Sequence, residues 1–323
     1  MRFLRAAIGL AAMVVMASSH AQAPLPRTLK IVVPVSAGGS NDVIARAIAR
    51  AIALPLSTRL GIPVIVENRA GAAGVVGSDF VAKSPKDGSV LLLTSSSFLT
   101  AAATQKELPY DPLTAFTPVA MVGRGPMLLV VSGTTPYKSP ADVVAAAKAQ
   151  PGVLNYGTAG VGSIAHLTTE LLDDSAKISM VHVPYKGAAN ASTDLAAGQI
   201  QVMISNYSTV APLMQTGKIR GVGVTSAKPH PAFPGMQPIA TVAPGFDVDI
   251  WVGVFAPAGT PDALIARYNQ EINAIAASAD LAPVLEPDGT LPEAIAPAAF
   301  AARLRVELGQ WKKLAAEHNI TAE

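Results

Sequence analysis

The sequence contains no cysteine among its 323 residues. This absence excludes disulfide bonds, a lipid-modified cysteine and a catalytic thiol. The fold must therefore be held together by its hydrophobic core alone, and a chain of this length is long enough to build one.

An excess of charge of either sign is also missing. The chain has 24 Lys and Arg against 22 Asp and Glu, and two of its arginines lie in the N-terminal leader. Without these two, 22 basic residues balance 22 acidic ones. No basic tail or basic run occurs, so neither nucleic acid nor an anionic membrane surface is expected as a partner.

Long hydrophobic runs are confined to the N-terminus. Two arginines precede an apolar segment at 6–18, and small residues follow at 19–23, which is the order of a secretory signal peptide. The apolar segment is shorter than the roughly 20 residues that span a bilayer, which disfavours an uncleaved anchor. We predict that residues 1–23 are a signal peptide cleaved after Ala21 or Ala23, and that the mature protein is soluble, periplasmic and free of a lipid anchor.

Sequence signatures of catalysis are scarce as well. The chain has no G-x-S-x-G elbow and no P-loop. The four histidines of the mature chain have no catalytic spacing (His166, His182, His230 and His318). His166 and Glu170 have the i, i+4 spacing of a metal-binding pair, but no third ligand is in view, so a capping or core role for His166 is favoured. We expect no catalytic residue, no cofactor and no metal ion.

What the chain does contain is an alternation of short apolar runs and alanine-rich helical windows. This alternation predicts an α/β fold with largely parallel sheets. Pro55 predicts a kink or an early end of the first helix, because proline removes a backbone hydrogen bond. Strands are predicted at 29–34, 63–67, 89–94, 117–122, 127–132, 153–156, 180–183, 201–204, 219–224 and 251–256. Helices are predicted at 40–54, 73–84, 139–149, 163–173, 189–198, 208–216, 261–278 and 297–317.

The first candidate binding element follows the first predicted strand. Two glycines there let the backbone approach a ligand closely, and the helix that opens after them offers unpaired N–H groups to an anion. An ordinary strand-to-helix turn is the alternative. The residues predicted to bind a solute in this turn are Ala37, Gly38, Gly39, Ser40 and Asn41.

Further candidates follow other predicted strands, where the ligand of a doubly wound sheet lies. A second glycine turn precedes the helix at 163–173, and its spacing is not that of a dinucleotide fingerprint. A run of hydroxyls follows the strand at 89–94 and can donate to a carboxylate, with a solvated turn as the alternative. The residues predicted to bind a solute in these turns are Ser95, Ser96, Ser97, Gly160, Gly162, Ser163, Tyr185 and Asn206.

These turns resemble those of one protein family, the Bug-type periplasmic solute receptors of tripartite tricarboxylate transporters. The matching residues are Pro34, Gly38, Gly39, Asp42, Ala45 and Arg46 in a first stretch, then Glu67, Asn68, Arg69, Gly71 and Ala72 in a second. The segments at 155–166 and 183–187 match the family as well. The resemblance covers 29–320 and is thin from Pro287 to Pro297.

The resemblance implies the type II periplasmic-binding-protein fold. In that fold two α/β lobes, each a largely parallel sheet flanked by helices, are joined by two crossover strands around a cleft. Lobe 1 would comprise 24–124 and 249–323, and lobe 2 would comprise the inserted residues 125–248. We predict that the two lobes close on one small carboxylate solute through cradles at 37–41 and 160–163.

The resemblance also implies partners. The protein, expected to be a monomer, would deliver its solute to the large and small membrane subunits of a tripartite tricarboxylate transporter. A periplasmic α/β enzyme that acts on a small carboxylate is the alternative function. The glycines and hydroxyls of the predicted turns can hold a ligand, but few groups there can move protons, so binding is favoured over catalysis.

Overall fold

The computed structural model describes residues 24–34 and 40–322. The predicted signal peptide and the predicted binding residues Ala37, Gly38 and Gly39 lie outside the described residues. The strands are β1 (Leu29–Val33), β2 (Val64–Asn68), β3 (Val90–Ser95), β4 (Phe116–Pro126), β5 (Leu128–Ser132), β6 (Asn155–Thr158), β7 (Val181–Pro184), β8 (Val202–Ser205), β9 (Ile219–Val224), β10 (Gln237–Pro238) and β11 (Asp249–Pro257). The α-helices are α1 (Ser40–Leu60), α2 (Val75–Ala82), α3 (Ser97–Thr104), α4 (Pro140–Ala149), α5 (Ile164–Ala176), α6 (Ala188–Ala196), α7 (Tyr207–Gln215), α8 (Asp262–Ala276), α9 (Ala282–Leu285) and α10 (Pro297–Glu317).

Every predicted strand and helix is present, and the short elements α3, α9 and β10 were not predicted. The prediction of an early end at Pro55 is wrong, since α1 continues through Pro55 to Leu60. Ile52 and Leu56 on either side of the proline are fully buried against the sheet. This packing outweighs the loss of one hydrogen bond, because most helical stability in a folded protein comes from the buried face.

The strands form two mixed sheets that are flanked by helices, which confirms the predicted two-lobed α/β fold. The first sheet has the order β2-β1-β3-β11-β4, and the second has the order β10-β9-β5-β8-β6-β7. In the described chain, the antiparallel pairings all involve β11 or β5, and the other pairings are parallel. β5 and β11 are the strands that form directly after the chain passes from one sheet to the other.

Two long strands connect the sheets. β4 leads through Met127 directly into β5 of the second sheet, and β11 brings the chain back to the first. β4 and β11 pair antiparallel from Pro126 and Asp249 at one end to Phe116 and Pro257 at the other. The expected boundary at 125 therefore lies inside a continuous strand, and the division into lobes at 125 and 248 stays a prediction.

Alternate residues of the central strands face different helix layers. In β1, Ile31 packs with α1 and α8, whereas the neighbouring Val32 packs with residues of α3 and α10. In β5, Val130 packs with α6 and α7, and Val131 packs with α4 and α5. The cluster that contains Val32 and Val131 is continuous, so the two sheets share one apolar core layer. No helix in the described ranges is long and apolar enough to cross a bilayer.

Candidate functional site

The helix starts of each sheet gather at one edge of it. In the first sheet, the parallel neighbours β2, β1 and β3 lead into α2, α1 and α3. In the second sheet, the parallel neighbours β7, β6 and β8 lead into α6, α5 and α7. Parallel strands end at the same edge of a sheet, so three helix starts lie together in each sheet. The first N–H groups of a helix have no acceptor within the helix itself. Each edge therefore offers backbone donors to an anion.

The turn between β6 and α5 is the best defined of the predicted cradles. Gly160 and Gly162 have φ angles of 126° and 75°, in the region that favours glycine. The Ser163 hydroxyl caps α5 by accepting the N–H of His166 at 3.3 Å. The Nδ1 atom of His166 in turn accepts the N–H of Gly162 at 3.2 Å. These side chains hold the turn in place.

Three amides of this turn are left for a solute. The N–H groups of Val161, Ile164 and Ala165 have no hydrogen-bond partner within the described part of the chain. Ile164 and Ala165 are buried, at 7% and 8% exposure. The first N–H groups of a helix have no acceptor within it, so a side chain, water or a ligand must supply one. An anion at the start of α5 would supply the missing acceptors.

The same turn contacts the last residue of α3. A Cβ atom placed on Gly162 would lie 2.5 Å from Thr104 Oγ1 and 3.1 Å from the Cβ of Ala322, so only glycine fits there. Because α3 begins at Ser97 and ends at Thr104, this short helix joins the predicted serine turn to the predicted glycine turn. The two turns are separated by roughly 10 Å along its axis.

The three predicted serines have different surroundings. Ser96 is fully buried, and its hydroxyl accepts the N–H of Trp251 at 2.8 Å. That hydroxyl joins β3 to β11 and is not open to a ligand. Ser95 and Ser97 are partly exposed, and their hydroxyl oxygens lie 2.9 Å apart. Ser95 and Ser97 are therefore the serines of this turn that a solute can reach.

The first predicted cradle is described only from Ser40 onward. Ser40 is the first residue of α1 and Asn41 is the second, as the sequence predicts. Two family residues nearby serve the fold, because the guanidinium of Arg69 pairs with Glu67 and lies 3.5 Å from the centre of the Phe80 ring. Solute contact by 37–41 stays a prediction.

Tyr185 lies beside the glycine turn of the second sheet. Its N–H donates to the carbonyl of Thr158 at 3.1 Å, and its hydroxyl donates to the carboxylate of Asp194 on α6 at 2.8 Å. Burial and the Asp194 carboxylate raise the pKa of Tyr185 to about 12, so the hydroxyl keeps its proton. The hydroxyl proton is thus used in a hydrogen bond to α6, which follows the second sheet. Solute contact by Tyr185 stays a prediction.

Asn206 directly precedes α7, and a carboxylate of the chain itself lies at this helix start. The N–H of Ser208 donates to Asp288 Oδ1 at 2.6 Å. Asp288 is buried, and burial raises the pKa of its carboxyl. No local sequence signal pointed to Asp288, because it lies where the resemblance is thin and its partner is 80 positions away in the chain.

A stacked pair of histidines contacts the glycine turn between β6 and α5. The rings of His166 and His182 lie 3.7 Å apart. His182 Nε2 lies 2.7 Å from Thr158 Oγ1, which accepts the N–H of Gly160 at 3.2 Å. Burial and the neighbouring His166 lower the pKa of His182 to about 4, so its ring is neutral at neutral pH. His166 has the capping role that the sequence favours, and the described ranges contain no cluster of three or more metal-binding side chains.

A cavity of about 710 Å³ lies between α5, α10 and the beginning of β11. Its walls include Trp251, Trp311 and Glu307, and Glu307 accepts both indole N–H groups, at 2.8 and 3.2 Å. None of the residues predicted to bind a solute lines this cavity. Its lining also contains no helix start, so it lacks the backbone donors of the two sheet edges.

Comparisons with known proteins agree with the predicted family. Residues 48–319 match the family model TctC, described as the tripartite tricarboxylate transporter family receptor. The protein BugT of Bordetella pertussis is 34% identical over 288 residues, which cover 88% of this chain and 87% of BugT. The structure of R. palustris Rpa4515 with adipate is 33% identical, with a TM-score of 0.79, and the match covers 92% of this chain and 99% of that one. The structure of MatC from Rhodopseudomonas palustris with bound malate is 30% identical, with a TM-score of 0.74, and the match covers 89% of this chain and 98% of that one.

Proposed function

This chain belongs to the TctC family of tripartite tricarboxylate transporter receptors, and on that premise we propose that it holds a small carboxylate solute between its two sheets. As a member of this family it is a periplasmic solute-binding receptor. The observation that carries the proposal is the start of α5, where the amides of the buried residues Ile164 and Ala165 have no partner in the described chain. A carboxylate supplies both the acceptors and the negative charge that a helix start favours.

One helix start is too weak to hold a solute by itself. A hydrogen bond to a charged group contributes about 1.5–3 kcal/mol, and the helix dipole adds about 0.3–1 kcal/mol at an exposed site. Three such bonds and the dipole together contribute about 5–10 kcal/mol, but association costs at least about 4 kcal/mol in lost translational and rotational freedom. What remains falls short of the roughly 8 kcal/mol that a micromolar complex requires. The opposite edge, with Ser95, Ser97 and the predicted cradle at 37–41, must therefore contribute, which requires the two lobes to close on the solute.

Aliphatic dicarboxylates are the first candidates for the solute. Rpa4515 is described with adipate and MatC with bound malate, and both structures match almost the whole of this chain. Each of these molecules carries two carboxylates, and the protein offers donors at one edge of each of its two sheets. A carboxylate at each edge would satisfy both sets of donors.

The finer features of the function belong to the same proposal. Residues 1–23 direct export and are removed, and the mature receptor acts as a monomer. It delivers its solute to the large and small membrane subunits of a tripartite tricarboxylate transporter, and it does so without chemical conversion. In the glycine turn, Ser163 and His166 are engaged in capping and support.

A thermal-shift screen tests the proposal. Mono-, di- and tricarboxylates are added to the mature protein, each beside the corresponding neutral amide. A solute at 100 times its Kd adds about 2.7 kcal/mol to the free energy of unfolding, and each kcal/mol raises the melting temperature by about 2–4 °C in a protein of this size. We expect at least one carboxylate to raise the melting temperature by several degrees while its amide does not. A panel without any such shift, or equal shifts for acid and amide, would contradict the proposal.

A further inference from the structure

His318 lies on the C-terminal side of α10 and reaches α5 with both ring nitrogens. Its Nδ1 atom lies 2.9 Å from Glu170 Oε2, and its Nε2 atom lies 2.9 Å from Asp174 Oδ2. Helix α10 packs on α3 and β4 of the first sheet, whereas α5 follows β6 of the second sheet. His318 therefore joins the layers of the two sheets.

The geometry around His318 requires an imidazolium. A neutral imidazole has one N–H donor and one lone pair, but both nitrogens of His318 face carboxylate oxygens. Only the protonated ring can donate to both. Loss of the proton would set a lone pair against a carboxylate oxygen, so one of the two contacts would break.

The Glu170 carboxylate connects this contact to the glycine turn. Its second oxygen, Oε1, accepts the hydroxyl proton of Tyr156 and lies 3.6 Å from Nε2 of His166. The other ring nitrogen of His166 accepts the N–H of Gly162. A continuous set of polar contacts thus runs from His318 through Glu170 and His166 to Gly162.

We propose that His318 is a positioning residue for the solute, which acts through Glu170 and His166 on the turn at 160–163 and does so only while its ring is protonated. This role rests on the proposed function of that turn as a solute cradle. With His318 protonated, Glu170 has a counter-charge on one side and hydrogen-bond donors on the other. When His318 becomes neutral, Glu170 loses this counter-charge and its carboxylate interacts more strongly with His166 and Tyr156. The His166 ring then shifts, and its hydrogen bond with the N–H of Gly162 is weakened.

The electrostatics of the cluster agree with this arrangement. Partial burial disfavours the charged ring, but the hydrogen bond and charge of Asp174 and the charge of Glu170 outweigh it, so the pKa of His318 is raised above its usual value. Burial likewise opposes the Glu170 carboxylate, but the neighbouring His166, the hydrogen bond from Tyr156 and the charge of His318 outweigh it and lower its pKa. The titratable and charged groups that face His318 or its partners in the described chain are Tyr156, His166, Glu170, Asp173, Asp174, His182, Lys313 and Glu317.

The direction of the pH effect follows from the raised pKa of His318. The contact is fully present below the ordinary histidine pKa of about 6.5 and is lost as the pH rises through the raised value. Asp173 titrates nearby, because burial and the repulsion of its acidic neighbours raise its pKa to about 7. The test must therefore follow His318 and the glycine turn separately.

NMR titration of the solute-free protein provides this test. Glycine is labelled with ¹⁵N to follow the amide of Gly162, and the His318 ring is followed in the same sample from pH 5.5 to 9. We expect the Gly162 amide to shift with the same midpoint as the His318 ring, while the exposed Gly309 amide on α10 does not. In His318→Gln the shift of Gly162 should disappear, whereas His230→Asn, a histidine away from this cluster, should leave it unchanged.

A second variant keeps the test decisive if His318→Gln does not fold. Asp174→Asn removes one of the two carboxylates from His318 and should lower the midpoint of the ring, with the midpoint of Gly162 moving by the same amount. A flat Gly162 profile in the wild-type protein overturns the proposal. So does a profile that persists in folded His318→Gln, or that stays fixed while the His318 midpoint moves. No solute is present, so a failure here is distinct from a failure to find a carboxylate ligand.

Discussion

At the scale of single residues, the hydroxyls of the predicted turns stabilise the backbone, and the groups that can bind a solute are backbone amides. Ser163 accepts the N–H of His166, and Ser96 accepts the N–H of Trp251. Both hydroxyls were predicted to bind a solute, and in the structure both hold the chain in place. In the turn before α5, the donors that have no partner in the described part of the chain are the main-chain groups of Val161, Ile164 and Ala165.

Replacement of Ser96 by alanine should destabilise the protein. The change would leave the buried N–H of Trp251 without its acceptor, which costs about 1–3 kcal/mol. Urea unfolding measures the difference. Ser226→Ala is the matched control, because the Ser226 hydroxyl bonds to Lys228 on an exposed turn and its loss should cost less than about 0.5 kcal/mol. Equal stability of the two variants would show that the Ser96 contact is not important.

Local chemistry decides which site residues can be predicted from sequence. Gly160, Gly162 and Ser163 could be found, because positive φ angles and helix caps leave a signature within a few positions. Asp288 could not, since its contact with Ser208 depends on how two distant segments are brought together. For the same reason, His318 carried no visible link to Glu170 in the sequence.

At the scale of secondary structure, long apolar or alanine-rich segments were predictable and short ones were not. Helix α3 has eight residues and begins with hydroxyls, so its sequence does not stand out from a turn. It forms because Phe98 and Leu99 are buried in the core shared with α10. Pro55 shows the opposite case, in which burial of the flanking residues maintains a helix that local chemistry predicts to break.

Two glycines in helices should respond to alanine in opposite directions. On α2, a Cβ at Gly77 would lie 2.6 Å from the carbonyl oxygen of Arg69 and 2.7 Å from Pro34 Cβ. Gly77→Ala should therefore cost about 1–3 kcal/mol, because the backbone must move. On α10, nothing lies within 4 Å of the Cβ position of Gly309, so Gly309→Ala should gain about 0.5–1 kcal/mol.

Chemical unfolding of both variants beside the wild-type protein checks this pair. We expect the free energy of unfolding to fall in Gly77→Ala and to rise in Gly309→Ala. A stable Gly77→Ala protein would mean that Pro34 and Arg69 do not pack closely on α2.

At the scale of the whole molecule, the sequence predicted the fold class and the two-sheet layout, but not how the layers meet. The alternation of apolar and alanine-rich segments is enough for an α/β fold, and the family resemblance supplies the two lobes. The contacts between layers, such as Thr104 with Gly162 and His318 with Asp174, join segments far apart in the chain. They follow from tertiary packing, for which a single sequence carries no local signal.

The central claim is that backbone amides at the start of α5 hold the carboxylate of the solute, and two variants of Ile164 isolate that interaction. Ile164→Ala keeps the amide, whereas Ile164→Pro removes it. Proline is tolerated at the first position of a helix, and Ser163 already has the extended conformation (φ −65°, ψ 156°) that suits a residue before proline. Both variants lose the buried isoleucine side chain, so their difference reports the amide.

The decisive measurement is calorimetric titration of the two folded variants with the carboxylate found in the thermal-shift screen. Loss of a hydrogen bond to a charged group costs about 1.5–3 kcal/mol, and 1.4 kcal/mol corresponds to a tenfold change in Kd. We predict that Ile164→Pro binds about ten to a hundred times more weakly than Ile164→Ala. Equal affinity of the two variants would contradict it and would place the solute elsewhere, with the cavity beside Trp251 and Trp311 as the next site to examine.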